Sequence, residues 1–373
     1  VLIRYSAKIP ANFCSHLKPD VLKRHFTICF FAMLLHYCAN AQQYVAFDII
    51  KASSQTIEKF TEWAKKKNFY PAPPEVNGEM NFTYKPGKKS IDKHPREITL
   101  FTREKNLCFS YKTFAEKEFA DMLGKLSKDG FIGNTQKNLT GNENIYLQKN
   151  NFSIYITSKL IDSAKQYSFL LRKYAMPGSN DIQFAEDLMK FNSHKMLSYY
   201  FGEKNVQKDF YYFQDNEISK CSVLFPHTAR QVIFIWSDEE NNCQLQKLFI
   251  GGDLKAGNTA QDKTIGQNLW RSKSGLQAGM SIYQLRLLNE ADFNFGGGKS
   301  AYTGLVFGNG EGKINFEKEN IILGCINCYD DVFGNANIIN CDDAIKEQRI
   351  MFIQTIILEP FDETELGLTQ RAF

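Results

Sequence analysis

Residues 231–236 read QVIFIW, and how this run is read decides the fold. As a strand it puts Ile233 and Ile235 on one face and Val232, Phe234 and Trp236 on the other, because side chains alternate along an extended chain. A strand that is apolar on both faces has to be covered on both, so it belongs in the middle of a sheet. Strand-like runs crowd around it, with Asp209–Phe213 and Ile218–Phe225 before and Leu245–Ile250 after. They are separated by the turn formers Pro226-His227-Thr228-Ala229 and Asp238-Glu239-Glu240. Such short connections predict an antiparallel meander. In it, the strand with Cys221 and the one starting near Cys243 lie about 9–10 Å apart, one strand intervening. A disulfide needs Cα atoms within about 7 Å, so Cys221 and Cys243 are expected not to pair.

Further toward the N-terminus the pattern is helix, then strands, twice. Ile57, Phe60, Trp63 and Ala64 recur at helical spacing, and the run Pro71-Ala72-Pro73-Pro74 stops that helix. Strands follow at Met80–Tyr84, Glu97–Thr102 and Leu107–Tyr111. Thr113-Phe114-Ala115-Glu116 then reads as a capping box opening a second helix, with Phe119, Met122, Leu123 and Leu126 as its apolar stripe and Asp129-Gly130 as its end. Strands return at Ile145–Gln148, Phe152–Thr157 and Tyr167–Tyr174. This repetition suggests an internal duplication within residues 42–176.

Pro177-Gly178-Ser179 reads as a domain boundary, and the second domain as residues 180–360, divisible into 180–270 and 275–360. Phe184, Leu188, Phe191, Met196, Leu197 and Tyr200 fit a long helix or a kinked pair closed by Gly202. The last unit opens at Gly279. Ser281-Ile282-Tyr283-Gln284 is a capping box, and Met280 and Leu285 stand at the positions of a hydrophobic staple. Strands are expected near Asp292–Phe295, Gly304–Phe307, Lys313–Phe316, Asn320–Ile326 and Ile350–Leu358, with residues 361–373 as a tail. The expected class is α+β, in at least two domains of helices packed on mostly antiparallel sheets.

The start Gly279-Met280-Ser281, with Gln284 and Leu285, resembles the helix opening of small bacterial outer-membrane assembly lipoproteins and of β-lactamase-inhibitor-protein-like domains. The resemblance covers about ten residues and implies a periplasmic or secreted α+β module that binds proteins and catalyses nothing. The whole chain also looks like an uncharacterised exported protein of the Bacteroidetes type. No binding residue is carried over by either likeness.

Residues 23–41, KRHFTICFFAMLLHYCANA, read as an export signal: Lys23 and Arg24, a short apolar run from Phe26 to Leu35, then Ala39-Asn40-Ala41. The run is about half of what a bilayer-spanning helix needs. The mature chain is therefore expected to start at Gln42, and residues 1–20 to be over-translation. Lipidation at Cys38 is the competing route, poorly supported by His36 and Tyr37 before it. Removing residues 1–41 takes the basic and acidic totals from 45 and 41 to 40 and 40. A nucleic-acid binder needs a cationic excess, so nucleic acid is not an expected partner.

Candidate chemistry is sparse. Gly296-Gly297-Gly298-Lys299-Ser300 ends like a phosphate-binding loop, but Phe293 stands where the pattern needs its first glycine and a strand-like run follows. A glycine-rich hairpin loop is the better reading, and no cofactor is expected. Cys325, Cys328 and Cys341 have metal-like spacing without a fourth thiol or a histidine. Nearby Asp330, Asp331, Asp342 and Asp343 lack the spaced loop of a calcium site. The spacing predicts no metal site but a disulfide from Cys341 to Cys325 or Cys328. Ser222 or Cys221, His227 and Asp238 make a triad only on paper, since no nucleophile elbow surrounds them. His94 and His194 are the other histidines beyond residue 41. The favoured function is an exported, non-enzymatic binding or envelope-assembly module acting on a protein or cell-envelope component. The alternative is an exported hydrolase with an unidentified active site.

Overall fold

A computed structural model of the chain describes residues 51, 56–73, 79–87, 95–103, 106–137, 143–213, 217–253, 267–308, 311–328 and 334–360. The expected export signal and start at Gln42, His94, Asp330, Asp331 and the expected tail 361–373 lie outside the described residues.

The elements run in the order α1 (Ile57–Lys66), β1 (Phe69–Pro71), β2 (Met80–Tyr84), β3 (Arg96–Arg103), β4 (Asn106–Thr113), α2 (Glu116–Lys128), β5 (Ile132–Lys137), β6 (Glu143–Lys149), β7 (Phe152–Ile161) and β8 (Ala164–Lys173). There follow α3 (His194–Phe201), β9 (Val206–Tyr212), β10 (Ile218–Leu224), β11 (Val232–Asp238), β12 (Cys243–Gly251), α4 (Ile282–Asn289), β13 (Asn294–Gly296) and β14 (Val306–Phe307). The last are β15 (Glu319–Cys325), β16 (Ile338–Asn340), α5 (Cys341–Lys346) and β17 (Met351–Leu358). An eight-stranded sheet has the order β1-β2-β3-β4-β8-β7-β6-β5, a six-stranded sheet β15-β17-β12-β11-β10-β9, and a three-stranded sheet β14-β13-β16. The class is α+β with antiparallel sheets, richer in strand than in helix. Among the described residues no helix is long and apolar enough to cross a membrane.

The described residues pack into two compact units, one drawn from Val1–Thr99, Tyr111–Asp129 and Leu160–Tyr167, the other from Leu100–Ser110, Gly130–Lys159 and Ser168–Phe373. The division does not fall at Pro177. Side-chain amides on both sides of that proline hold the second unit together. Asn151 Nδ2 donates to the Tyr174 carbonyl at 2.7 Å, Asn192 Nδ2 to the Tyr174 hydroxyl at 2.8 Å, and Gln148 Nε2 to the Asn241 carbonyl at 2.9 Å.

In the first unit α1 buries Phe60 and Ala64, and the Phe60 ring meets Phe82 edge-on at 5.4 Å. Helix α2 buries Met122 and Leu126, while Phe119 stacks on Tyr167 at 4.1 Å. The capping box expected at Thr113–Glu116 does not form, because α2 is capped at Ala115 with no side-chain bond. Thr113 is used differently. Its hydroxyl accepts the Ala115 N–H at 3.1 Å and donates to Glu118 Oε2 at 2.9 Å. Glu118 also takes Arg96 Nε at 2.8 Å and the Tyr111 hydroxyl at 2.8 Å. The Arg96 guanidinium lies 4.8 Å over the Tyr84 ring. Burial, and then the Glu118 charge, hold the Tyr111 phenol well above its ordinary range.

In the second unit β11 has β10 on one side and β12 on the other, in the middle of its sheet. Val232, Phe234 and Trp236 enter a large core, whereas Ile233 and Ile235 join Tyr211, Cys221, Val223 and Phe249 in a second one. The two-faced reading of QVIFIW therefore holds. Cys221 on β10 and Cys243 on β12 flank β11, and both are buried free thiols.

Helix α4 starts as its sequence predicts. The Gln284 N–H donates to Ser281 Oγ at 3.2 Å, and the Ser281 N–H to Gln284 Oε1 at 2.9 Å, a cap worth about 1 kcal/mol. Leu285 is fully buried in the large core, and Met280 packs against the same core. The Gly279 N–H donates to the Ile353 carbonyl and the Ile353 N–H to the Met280 carbonyl, each at 2.8 Å. This helix start is thus bonded to β17. Lys313–Phe316, expected as a strand, is a loop held by Asn289: the Lys313 and Ile314 amides donate to its backbone and side-chain oxygens at 2.8 and 3.0 Å. Ile314 and Phe316 still reach the core, so burial alternates there without a ladder.

Candidate functional site

The glycine-rich loop after β13 is a poor cradle for a phosphate, because most of its amides are already bonded within the fold. Gly297 N–H donates to Asn337 O at 3.0 Å, Lys299 N–H to Ala336 O at 3.1 Å and Ser300 N–H to Gly297 O at 3.0 Å. The glycines are there for close approach: a Cβ on Gly297 would lie 2.4 Å from Ala336 O, and one on Gly298 2.7 Å from Gly334 Cα.

The cysteines require a correction. Cys325 is bonded to Cys328, with Cα atoms 5.8 Å apart, and Cys341 is a free, buried thiol. The pairing expected for Cys341 is pre-empted by its position at the start of α5, where its sulfur accepts the Phe293 N–H at 3.3 Å. Burial pushes that thiol up to about 11, so it is no nucleophile at neutral pH. Among the described residues no group of three or more His, Cys, Asp or Glu side chains could hold a metal ion.

The paper triad is not assembled. The His227 N–H donates to Gln231 Oε1 at 2.8 Å, in a turn where its own φ is 60°. Asp238 accepts the backbone and side-chain amides of Asn241 at 3.1 and 2.8 Å. Ser222 meets a different histidine, with His194 Nδ1 2.9 Å from its Oγ, while Trp236 Nε1–H donates to the same Oγ at 2.9 Å. Ser222 has no exposed surface, and its oxygen is engaged from two sides, so it offers no hydroxyl to a substrate.

Burial, with the nearby Lys208 and Lys195 charges, lowers the His194 pKa from 6.5 to about 4. The folded state therefore holds His194 neutral where the unfolded chain would protonate it. Stability is expected to be intact above pH 6.5 and to be lost as the pH falls from 6.5 through about 4, by up to about 3 kcal/mol. Urea midpoints across that window, compared with those of His194→Gln, check this. The variant should lose part of the slope, and an unchanged slope would assign the acid sensitivity to other groups.

A second acidic grouping was not foreseen from sequence. Glu186 accepts the Lys273 N–H at 2.7 Å, and its other carboxylate oxygen is buried. Burial, with the neighbouring Glu186 charge, raises the pKa of the Glu319 carboxyl.

The remaining feature is the margin of the six-stranded sheet. Strand β9 is its last strand, and Lys208, Phe210 and Tyr212 stand opposite Ser222, Lys220 and Ile218 of β10. Opposite residues share a face, and Ser222 and Leu224 place this one on the side of the large core. Val206 and Leu224 are buried at one end of the strand pair. At the other end Phe210 is 47%, Tyr212 47% and Ile218 51% exposed. The core face of the sheet thus runs on into solvent along an edge. At the opposite edge the Leu323 N–H of β15 donates to Gly304 O at 2.8 Å, and Leu305 bridges to Ile322. Only β9 is without a bridging segment among the described residues.

No protein-family model matches the chain, and neither a curated protein nor a solved structure does.

Proposed function

We propose that the chain is an exported binding module, not an enzyme, and that it takes its partner at the β9 margin. The observation that carries the reading is the extension of the core face into the exposed Phe210, Tyr212 and Ile218 beside an open edge. Exposed apolar side chains grouped at a sheet edge are a liability unless they meet something. The buried and doubly bonded Ser222 supports the choice against a hydrolase, because it removes the only serine that the sequence offered as a nucleophile. Export to the periplasm or beyond rests on residues 23–41, and a protein or envelope partner fits that address.

Site-specific photo-crosslinking in the native host tests the site. A benzophenone side chain replacing Phe210 is expected to give a defined adduct. One replacing Tyr302, which is 65% exposed and lies elsewhere in the second unit, is expected to give none. Equal labelling from both positions would remove β9 as the docking surface.

A further inference from the structure

We infer that the β9 margin receives an extended acidic segment of its partner, added to β9 as a further strand with its carboxylates on Lys195 and Lys208. The inference rests on the docking reading above and supplies the chemistry of the occupant.

The backbone is arranged for it. The Phe210 N–H donates to Asp209 Oδ1 at 2.8 Å and so lies outside the ladder with β10. Backbone groups of alternate residues turn to the same side of a strand, so Lys208, Phe210 and Tyr212 present their amides and carbonyls outward. An incoming strand would bond to these groups and lay every second side chain over the exposed row of β9. Asp209 guards that edge meanwhile. Its carboxylate occupies the Phe210 amide and is itself steadied by Gln207 Nε2 at 3.1 Å.

Charge selects the occupant. Lys208 stands opposite Ser222, and Lys220 lies two residues before Ser222 on the same face of β10. Lys195 follows His194, whose Nδ1 is 2.9 Å from Ser222 Oγ, so the register gathers the three cations. Burial first, and then the Lys195 and Lys220 charges, lower the Lys208 pKa. Lys220 has Glu240 as a counter-ion. Lys195 and Lys208 have no ion pair among the described residues. Cations that repel one another beside an apolar row are relieved by carboxylates and penalised by further cations. A second copy of this chain fits badly, because pairing β9 with β9 would bring two such lysine groups together. Edge lysines commonly prevent that association.

The full chain would be panned against a random peptide library displayed on phage, alongside Lys195→Glu/Lys208→Glu and Phe210→Ser/Tyr212→Ser double variants. The wild type is expected to enrich peptides in which acidic residues alternate with apolar ones. A synthetic peptide of the winning sequence should bind the lysine variant at least about tenfold more weakly, the loss of one charge-assisted contact. A proline at its centre should abolish binding, and Asp209→Ala should tighten it by uncovering the Phe210 amide. Enriched peptides that are basic or uncharged but still need Phe210 and Tyr212 would overturn the acidic inference and leave the docking reading standing. Enrichment indifferent to both variants, or none at all, would sink both. Sedimentation showing a dimer lost in the Phe210→Ser/Tyr212→Ser variant would replace the partner's segment with a second copy.

Discussion

Glu118→Ala is expected to destabilise the first unit by about 3–5 kcal/mol, because it removes the carboxylate half of the buried Arg96–Glu118 ion pair. Arg96 and Glu118 have side-chain exposures of 6% and 11%, so water cannot replace the lost carboxylate. The same substitution removes the carboxylate to which the Tyr111 and Thr113 hydroxyls donate. Glu118→Gln should fall between: it keeps an acceptor for the hydroxyls and loses the charge that Arg96 needs. Replacing both partners, Arg96→Met with Glu118→Leu, should recover much of the loss, since an apolar pair of similar volume is often no worse than a buried ion pair. Urea unfolding followed through Trp63, which lies in α1 of the same unit, measures all three. A loss below about 1 kcal/mol for Glu118→Ala would mean that Arg96 finds another partner, and the network would not be a unit.

Trp236→Ala is expected to cost the second unit about 3–5 kcal/mol, the usual range for emptying a large aromatic site. Trp236 is 1% exposed and stacks on Phe234 at 5.6 Å in the middle of the large core. Trp236→Phe separates volume from hydrogen bonding. It leaves a ring in place but removes the N–H that donates to Ser222, which should cost about 1–2 kcal/mol. Thermal melts of the two variants decide between the terms. If Trp236→Phe is as damaging as Trp236→Ala, the Trp236–Ser222–His194 chain, and not the packed volume, holds that part of the core.

What could be read in the sequence was what local physics settles. QVIFIW has only one comfortable place in a sheet, and Ser281 with Gln284 satisfies two amides without help from elsewhere. Thr113-Phe114-Ala115-Glu116 has the same pattern and failed, because Glu118, which also holds Arg96 from 22 residues away and the neighbouring Tyr111, takes the Thr113 hydroxyl. The cysteines failed for a related reason. Spacing cannot show that Cys341 opens a helix whose first residue faces the Phe293 amide, whereas Cys325 and Cys328 are within reach of each other across one turn. His194 and Ser222 are 28 residues apart, and nothing local marks them as a pair. The candidate site was the least legible part. Phe210, Tyr211 and Tyr212 look like an ordinary core strand, and only the three-dimensional structure shows that one face is buried while the other runs into solvent.

The order of the six-stranded sheet bears on how the chain is made. β17 lies between β12 and β15, yet it is the last of these strands to leave the ribosome. Until Met351–Leu358 is synthesised, β12 and β15 each present an unpaired apolar edge, and the helix start at Gly279 lacks the Ile353 backbone that receives it. A nascent chain stopped before Met351 would therefore hold two adhesive edges and no means of closing them, the condition under which translation intermediates aggregate. The second unit is consequently committed to folding late and all at once, under the protection of whatever holds the growing polypeptide.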